Sequence, residues 1–304
     1  MARVFVTREI AGDAIADLRA AHEVDIWADG TSLPRAELLR RIATADGLLC
    51  MVEDRIDREV LDAAPKLRAI ANYAVGTDNI DLGSARARGI AVGNTPGVLT
   101  EATADLAFAL LLAAARHLPE AAGSVREGQW RVWETKRWNG AELFGATLGI
   151  IGYGRIGRAV ARRAVGFEMT VLATPTTPLE ELLERSDVVS LHCPLTPQTR
   201  HLIDAAALRR MKPTAILVNT ARGPVVDPAA LGEALRGGWI AGAGLDVTDP
   251  EPLPADDPLL DAPNLIVLPH IGSATHSARA QMTELAVANL LATLAGEPMP
   301  NAVS

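Results

Sequence analysis

Between residues 147 and 166 the chain reads T-L-G-I-I-G-Y-G-R-I-G-R-A-V-A-R-R-A-V-G. Leu148, Ile150 and Ile151 form a short apolar run, the mark of a buried strand. Gly152, Gly154 and Gly157 follow in G-x-G-x-x-G spacing, and Ile156, Val160 and Val165 then recur at roughly helical intervals. Each glycine has its own physical reason. Gly152 permits a tight turn, Gly154 lets backbone approach a pyrophosphate, and Gly157 lets helix and strand pack closely. The unpaired amides and positive dipole end of the helix then face the phosphates. A glycine-rich turn by itself is also an ordinary strand–helix connection. With the strand before it and the helix after it, a dinucleotide site is the expectation.

A chain of 304 residues exceeds the usual size of one core, and a second strand–helix alternation precedes the glycines. Strands are expected over 3–6, 24–27, 47–51, 67–73 and 90–93, with helices over 11–21, 34–43, 57–64 and 81–88. Pro34 suits a first helical turn and Gly89 stops a helix. Such alternation implies a parallel sheet with helices on its faces. Residues 100–117 are apolar on several sides, so this helix should be buried and lead into the second domain. Beyond the glycines, strands are expected over 169–173, 187–192, 214–219, 241–247 and 265–268. Helices should fill 179–185, 204–211 and 228–236, and an amphipathic helix over 277–294 should return to the first domain. Residues 123–145 are irregular and hold Trp130, Trp133 and Trp138. They read either as an interface or as packing under a long loop.

Charge and cysteine content exclude several classes of function. Lys and Arg number 29 against 37 Asp and Glu, a formal net charge of −8 without a basic cluster, which argues against a nucleic-acid partner. Cys50 and Cys193 stand alone, so neither a disulfide framework nor a zinc site is expected, and no metal is assigned. The opening M-A-R-V-F-V-T-R-E carries charges where a signal peptide needs an apolar core. The most apolar stretch, 106–115, is too short to span a bilayer. A cytoplasmic protein with no membrane partner is expected.

Three chemistry-bearing residues fall at the ends of expected strands, where doubly wound sheets place their ligands. Arg222 lies in N-T-A-R-G-P, Glu251 in D-V-T-D-P-E-P and His270 in L-P-H-I-G-S. Singly, they read as a surface cation, a solvated loop acid and a capping histidine. Together at the carboxyl ends of strands of one sheet, they form a constellation.

With these motifs the chain resembles the D-isomer-specific 2-hydroxyacid dehydrogenase family, most closely its glyoxylate/hydroxypyruvate reductase branch. The resemblance runs through Y-A-V-G-T-D-N-I-D at 73–81, N-T-P-G-V-L-T-E-A-T-A-D at 94–105, G-Y-G-R-I-G, H-C-P-L-T at 192–196, N-T-A-R-G, G-A-G-L-D-V and P-H-I-G-S. It implies an α/β fold of two doubly wound parallel-sheet domains. A Rossmann-type NAD(P)-binding domain would occupy 99–273, and a flavodoxin-like substrate domain 1–98 with 274–304. The implied activity is reduction of a short 2-keto acid by NAD(P)H. Arg222 would bind the substrate carboxylate and keto oxygen, which its planar fork suits. His270 would be the general acid, and Glu251 would hold the imidazole and favour its charged form. Val75 and Gly76 would offer backbone amides to the carboxylate. Asp246 would meet the nicotinamide carboxamide, and Thr103, Arg155, Ile156, Cys193, Pro194, Thr199, Thr220, Ala221 and Gly272 would line the cofactor. His22, His117, His192, His201 and His276 match no catalytic position. The family further implies a homodimer in which Trp138 reaches the neighbouring subunit's substrate pocket.

One place departs from the pattern. About twenty residues past the glycines, an acid normally meets the ribose hydroxyls of NAD. Here the stretch is A-T-P-T-T-P, with Thr174 at that place and neither acid nor arginine nearby, and the loop before Leu179 is shorter than usual. Loss of the acid removes the repulsion of a 2′-phosphate. Use of both cofactors with a modest lean to NADPH is therefore expected. A rival from another class is a nucleotide-sensing protein of the corepressor kind, against which the intact Arg222, Glu251 and His270 set argues. Formate or phosphite oxidation is the rival among enzymes, and formate enzymes of this fold carry glutamine where Glu251 stands.

Overall fold

The computed structural model describes residues 1–303. The chain divides into two compact units, one of residues 1–99 with 274 onward and one of residues 100–273. The first runs β1 (Arg3–Val6), α1 (Ile15–Ala21), β2 (Glu23–Ile26), α2 (Arg35–Ile42), β3 (Gly47–Cys50), α3 (Arg58–Asp62), β4 (Ala69–Asn72), α4 (Leu82–Ala87) and β5 (Ala91–Gly93). Its five strands are parallel in the order β2-β1-β3-β4-β5, the flavodoxin-like winding. Every residue of β3 and β4 is buried, because a parallel sheet is covered on both faces and its strands become continuous apolar runs. Leu38 and Ile42 of α2 and Val60 and Leu61 of α3 pack with Phe5, Leu48 and Ile70 on one side. Asp57 and Asp81 begin α3 and α4 by accepting from the amides of Val60 and Ser84, as helix starts require.

The second unit begins with α5 (Thr100–Ala115) and α6 (Leu118–Arg126). Then follow β6 (Thr147–Ile151), α7 (Arg155–Ala164), β7 (Thr170–Ala173), α8 (Leu179–Arg185), β8 (Val188–Leu191), α9 (Ala205–Arg210), β9 (Ile216–Asn219), α10 (Pro228–Arg236), β10 (Gly242–Leu245) and β11 (Leu265–Val267). Its six strands are parallel in the order β11-β10-β9-β8-β6-β7. Counted within the unit this is 2-1-3-4-5-6, whereas the dinucleotide fold usually carries a further strand outside the second. β7 is therefore the edge. Its connection to α8 holds only residues 174–178, too few for the helix and strand that such an addition needs. Helix α5 lies against the sheet so closely that a Cβ on Gly244 would stand 2.9 Å from the Cβ of Leu110. Residues 123–145, expected to be irregular throughout, instead start inside α6, which Pro119 opens after His117 turns in the left-handed conformation.

The last helix, α11 (His276–Leu294), belongs to the first unit and packs on β3, β4 and β5. Its burial is one-sided, with Met282, Ala286, Val287 and Leu290 buried and Gln281, Glu284 and Ala288 exposed, but it is not the amphipathic helix expected, because Thr283 and Asn289 are buried and alanines lie on both sides. Among the described residues no helix is long and apolar enough to cross a membrane.

Candidate active site

The glycine turn after β6 has the geometry its spacing demands. Gly152 has φ +96°, and a Cβ there would lie 2.5 Å from the Cys193 amide nitrogen. At Gly157 a Cβ would stand 2.3 Å from the Gly152 carbonyl oxygen, so α7 can sit against β6 only with glycine. Gly154 is different: no protein atom lies within 4 Å of where its Cβ would be. It leaves open space at the N-terminus of α7, beside the first-turn amides of Arg155, Ile156 and Gly157, which have no carbonyl partners inside the helix. A phosphate group fits against these amides. Thr174, at the end of β7, faces the same turn, its Oγ1 accepting from the Gly152 amide at 3.0 Å. Its own hydroxyl proton stays available to a ribose or phosphate oxygen. Thr176 differs, since its hydroxyl donates to the Ala173 carbonyl at 2.7 Å.

Arg222, Glu251 and His270 follow β9, β10 and β11, three adjacent strands of this sheet. His270 Nδ1 and Glu251 Oε1 are 2.6 Å apart, both side chains being about two-thirds shielded from solvent. Glu251 is held from behind, its Oε2 accepting from the Thr248 amide at 3.3 Å. With Nδ1–H donated to the carboxylate, His270 keeps Nε2 for another partner. His270 adopts φ 55°, a left-handed conformation that a non-glycine residue holds only when its surroundings enforce it. Asp246 enforces it. Its carbonyl accepts from the His270 amide at 2.9 Å, and its two carboxylate oxygens accept from the amides of Ile271 and Gly272 at 2.7 and 2.8 Å. Burial pushes the Asp246 carboxyl above its usual range, and these two amides oppose that.

Arg222 is half-buried, and its loop is fixed by a residue that the sequence reading passed over. Asn219, the last of β9 and fully enclosed, donates Nδ2 to the Arg222 carbonyl at 2.9 Å and accepts from the Ala221 amide at 3.0 Å. A buried asparagine ending an apolar strand was the available signal, because buried polar groups are paired. Next to Arg222, a Cβ on Gly223 would come within 1.8 Å of the Thr248 carbonyl oxygen. The Arg222 loop and the Glu251 loop thus touch backbone to backbone.

The remaining cofactor candidates cluster in the same unit. Thr103 donates its hydroxyl to the Gly272 carbonyl at 3.2 Å, and Thr199 donates to the Pro194 carbonyl at 2.7 Å. Cys193 is buried beside Gly152. Thr220 is buried with Oγ1 3.4 Å from His192 Nδ1, whose Nε2 is 2.8 Å from Ser190 Oγ. Burial lowers the pKa of His192 to about 4, so it is neutral and structural at ordinary pH. Trp138 stands apart from these residues, lining a hollow with Pro119, Gly123 and Gln129 under the Arg137 guanidinium. Val75 and Gly76 lie in the first unit, on the loop that leaves β4.

Comparison with known proteins bears on this geometry. Residues 108–272 match the model of the D-isomer specific 2-hydroxyacid dehydrogenase NAD-binding domain. A glyoxylate reductase of Korarchaeum cryptofilum is 52% identical, the match covering 99% of this chain and 96% of the relative. Its alignment of 317 positions is longer than the 304 residues here, so the relative carries insertions. The crystal structure of the TT0316 protein from Thermus thermophilus superposes with a TM-score of 0.94 at 54% identity, covering 99% of this chain and 100% of the other. An NADPH-dependent glyoxylate/hydroxypyruvate reductase from Sinorhizobium meliloti, in complex with NADP and malonate, gives 0.87 at 34% identity, covering 100% of this chain and 97% of its own.

Proposed function

The chain belongs to the D-isomer specific 2-hydroxyacid dehydrogenase family, and we propose that it reduces a short 2-keto acid of the glyoxylate or hydroxypyruvate kind to the D-2-hydroxy acid. One observation carries this reading: the Glu251–His270 pair stands at strand ends of the sheet whose glycine turn fits a phosphate. When bound there, a reduced nicotinamide supplies the hydride. The residues of this chain do the rest. The Arg222 guanidinium holds the carboxylate and the keto oxygen, drawing electron density from C2. The amides of Val75 and Gly76 are offered as donors to a substrate carboxylate. His270 gives a proton from Nε2 to the oxygen as it becomes a hydroxyl, and Glu251 balances the imidazolium beforehand. Asp246 holds the turn that carries His270, and its remaining lone pairs serve the nicotinamide amide.

A panel of short 2-keto acids, assayed with NADH and NADPH, tests the reading. Turnover of at least one, abolished in His270→Ala and weakened in both kcat and KM by Arg222→Ala, is the expected result. No turnover of any keto acid, or turnover untouched by His270→Ala, overturns it.

The relaxed choice of cofactor, leaning to NADPH, is part of the proposal. It is supported by Thr174, which offers a hydroxyl where a carboxylate would repel a 2′-phosphate, and by the short 174–178 connection. The chain is further proposed to pair with a second copy through the segment after α5. Trp130, Trp133, Val132 and Phe144 are 71%, 86%, 66% and 62% exposed there, large apolar side chains of the types enriched at interfaces.

A further inference from the structure

Three consecutive carbonyls on the loop leaving β4 are each gripped from within the first unit. The Ala74 carbonyl accepts from the Thr95 amide at 2.9 Å. The Val75 carbonyl accepts from Asn94 Nδ2, and the Gly76 carbonyl from Asn72 Nδ2, each at 2.7 Å. In a trans peptide the N–H points opposite to the C=O of the same plane. The amides of Val75, Gly76 and Thr77 are therefore turned away from the groups that hold their carbonyls, and within this unit none of them donates a hydrogen bond. Val75 is 37% exposed, so these donors stand at the surface.

The two asparagines are themselves immobilised. Asn72 is fully buried at the end of β4 and exchanges two hydrogen bonds with Asn79, at 3.1 and 3.2 Å. Asn79 in turn donates to the carbonyls of Met51 and Asp54 at 3.0 and 3.1 Å. On the other side, the Asn94 carbonyl accepts at 3.0 Å from Nδ2 of Asn289, a fully buried residue of α11. A loop with its carbonyls tied back and its amides outward presents positive potential, which suits an anion.

We propose that Asn94 is a positioning residue for a substrate carboxylate, acting by fixing the Val75–Gly76 peptide plane, and with it the Gly76 amide, before the ligand arrives, while Asn72 holds the next plane along the loop. The inference rests on the reading of Val75 and Gly76 as carboxylate donors. Donors aimed in advance cost no reorganisation on binding. Removing the Asn94 side chain frees that plane to turn, and the carboxylate loses the aligned Gly76 donor while the cofactor site is untouched.

The test compares Asn94→Ala with the wild type. The variant should raise KM for the keto acid about tenfold, equivalent to about 1.4 kcal/mol, with the KM of the reduced cofactor unchanged. A purely structural role would lower thermal stability without separating the two KM values. Asn94 is only half-buried, so its truncation leaves the packed core in place. Amide NMR resonances of Val75 and Gly76, titrated with oxalate, make the second readout. They should shift in the wild type and need about tenfold more oxalate in Asn94→Ala. An unchanged keto-acid KM, or no shift at these amides, overturns the clamp. If the wild type reduces no 2-keto acid, the functional reading falls, and the oxalate titration still decides the clamp either way.

Discussion

His270 Nδ1 faces Glu251 Oε1 at 2.6 Å, while the other oxygen of that carboxylate is anchored on the Thr248 amide. The carboxylate therefore fixes the ring and leaves Nε2 for a second partner. Reduction of a keto acid needs a proton delivered from such a position. Glu251→Gln, which keeps the shape and removes the charge, should lower kcat for keto-acid reduction by about tenfold or more, with the KM of the reduced cofactor unchanged. A kcat equal to that of the wild type would show that the pair does not serve the acid.

Gly223 is a second point of control. Any side chain there drives the Arg222 loop off the Thr248 carbonyl, since a Cβ would sit 1.8 Å from that oxygen. Gly223→Ala should cost about 1–3 kcal/mol of stability and lower kcat/KM for the keto acid by about tenfold or more, in line with misplacement of a bound substrate. Denaturant unfolding and steady-state kinetics check both halves. A fully active and fully stable Gly223→Ala would contradict the close approach.

At Thr174, aspartate keeps an acceptor for the Gly152 amide and adds the charge that repels a 2′-phosphate. Thr174→Asp should raise the KM for NADPH by about tenfold to a hundredfold, about 1.4–2.7 kcal/mol, with the KM for NADH equal or lower. A wild type that already prefers NADH by about a hundredfold refutes the argument from the missing acid.

His192 supplies a pH dependence. Its pKa falls from 6.5 to about 4 on burial, so between those values the unfolded chain binds a proton that the folded chain refuses. Stability is then lost as pH drops through that window, by about 3 kcal/mol at most. Burial also lowers the pKa of His22, so the useful quantity is a difference between proteins. Urea unfolding of His192→Asn should show a shallower decline from pH 6.5 to 4 than the wild type. Parallel declines would mean that His192 is not held neutral.

Exposed tryptophans make assembly testable. Light scattering should find twice the chain mass for the wild type and a shift toward the monomer for Trp130→Ser with Trp133→Ser, since aromatic residues dominate such contacts. Trp138→Ala should also change the preference among keto acids if it serves a second copy's pocket. A monomeric wild type removes this proposal.

Much of the fold was legible because β3, β4, β8 and β9 are mostly apolar runs, interrupted or ended only by Asn72, Ser190 and Asn219, between helix caps and glycines. The order of the strands was not, since β7 becomes an edge through pairing between residues far apart in the chain. For the candidate site, what could be read was that Arg222, Glu251 and His270 come directly after strands. Of the residues that fix them, Asn219 left one signal, a polar end to an apolar strand, while Thr248 and the backbone of Asp246 left none. Their work is done on main-chain amides and carbonyls, which leave no side-chain pattern. Helix α6 was missed in part because its short span of Leu118–Arg126 carries too few apolar residues to show a period.

Helix α11 has a consequence for the order in which the protein comes into being. It covers β3, β4 and β5, and through Asn289 it steadies Asn94, yet it follows the whole second unit in sequence. During synthesis the second unit therefore has all of its strands before the first has its last layer. Until residues 276–294 leave the ribosome, one apolar face of the earlier sheet waits uncovered, a surface of the kind that chaperones recognise. Emergence of α11, not translation of the first hundred residues, completes the unit that was begun first.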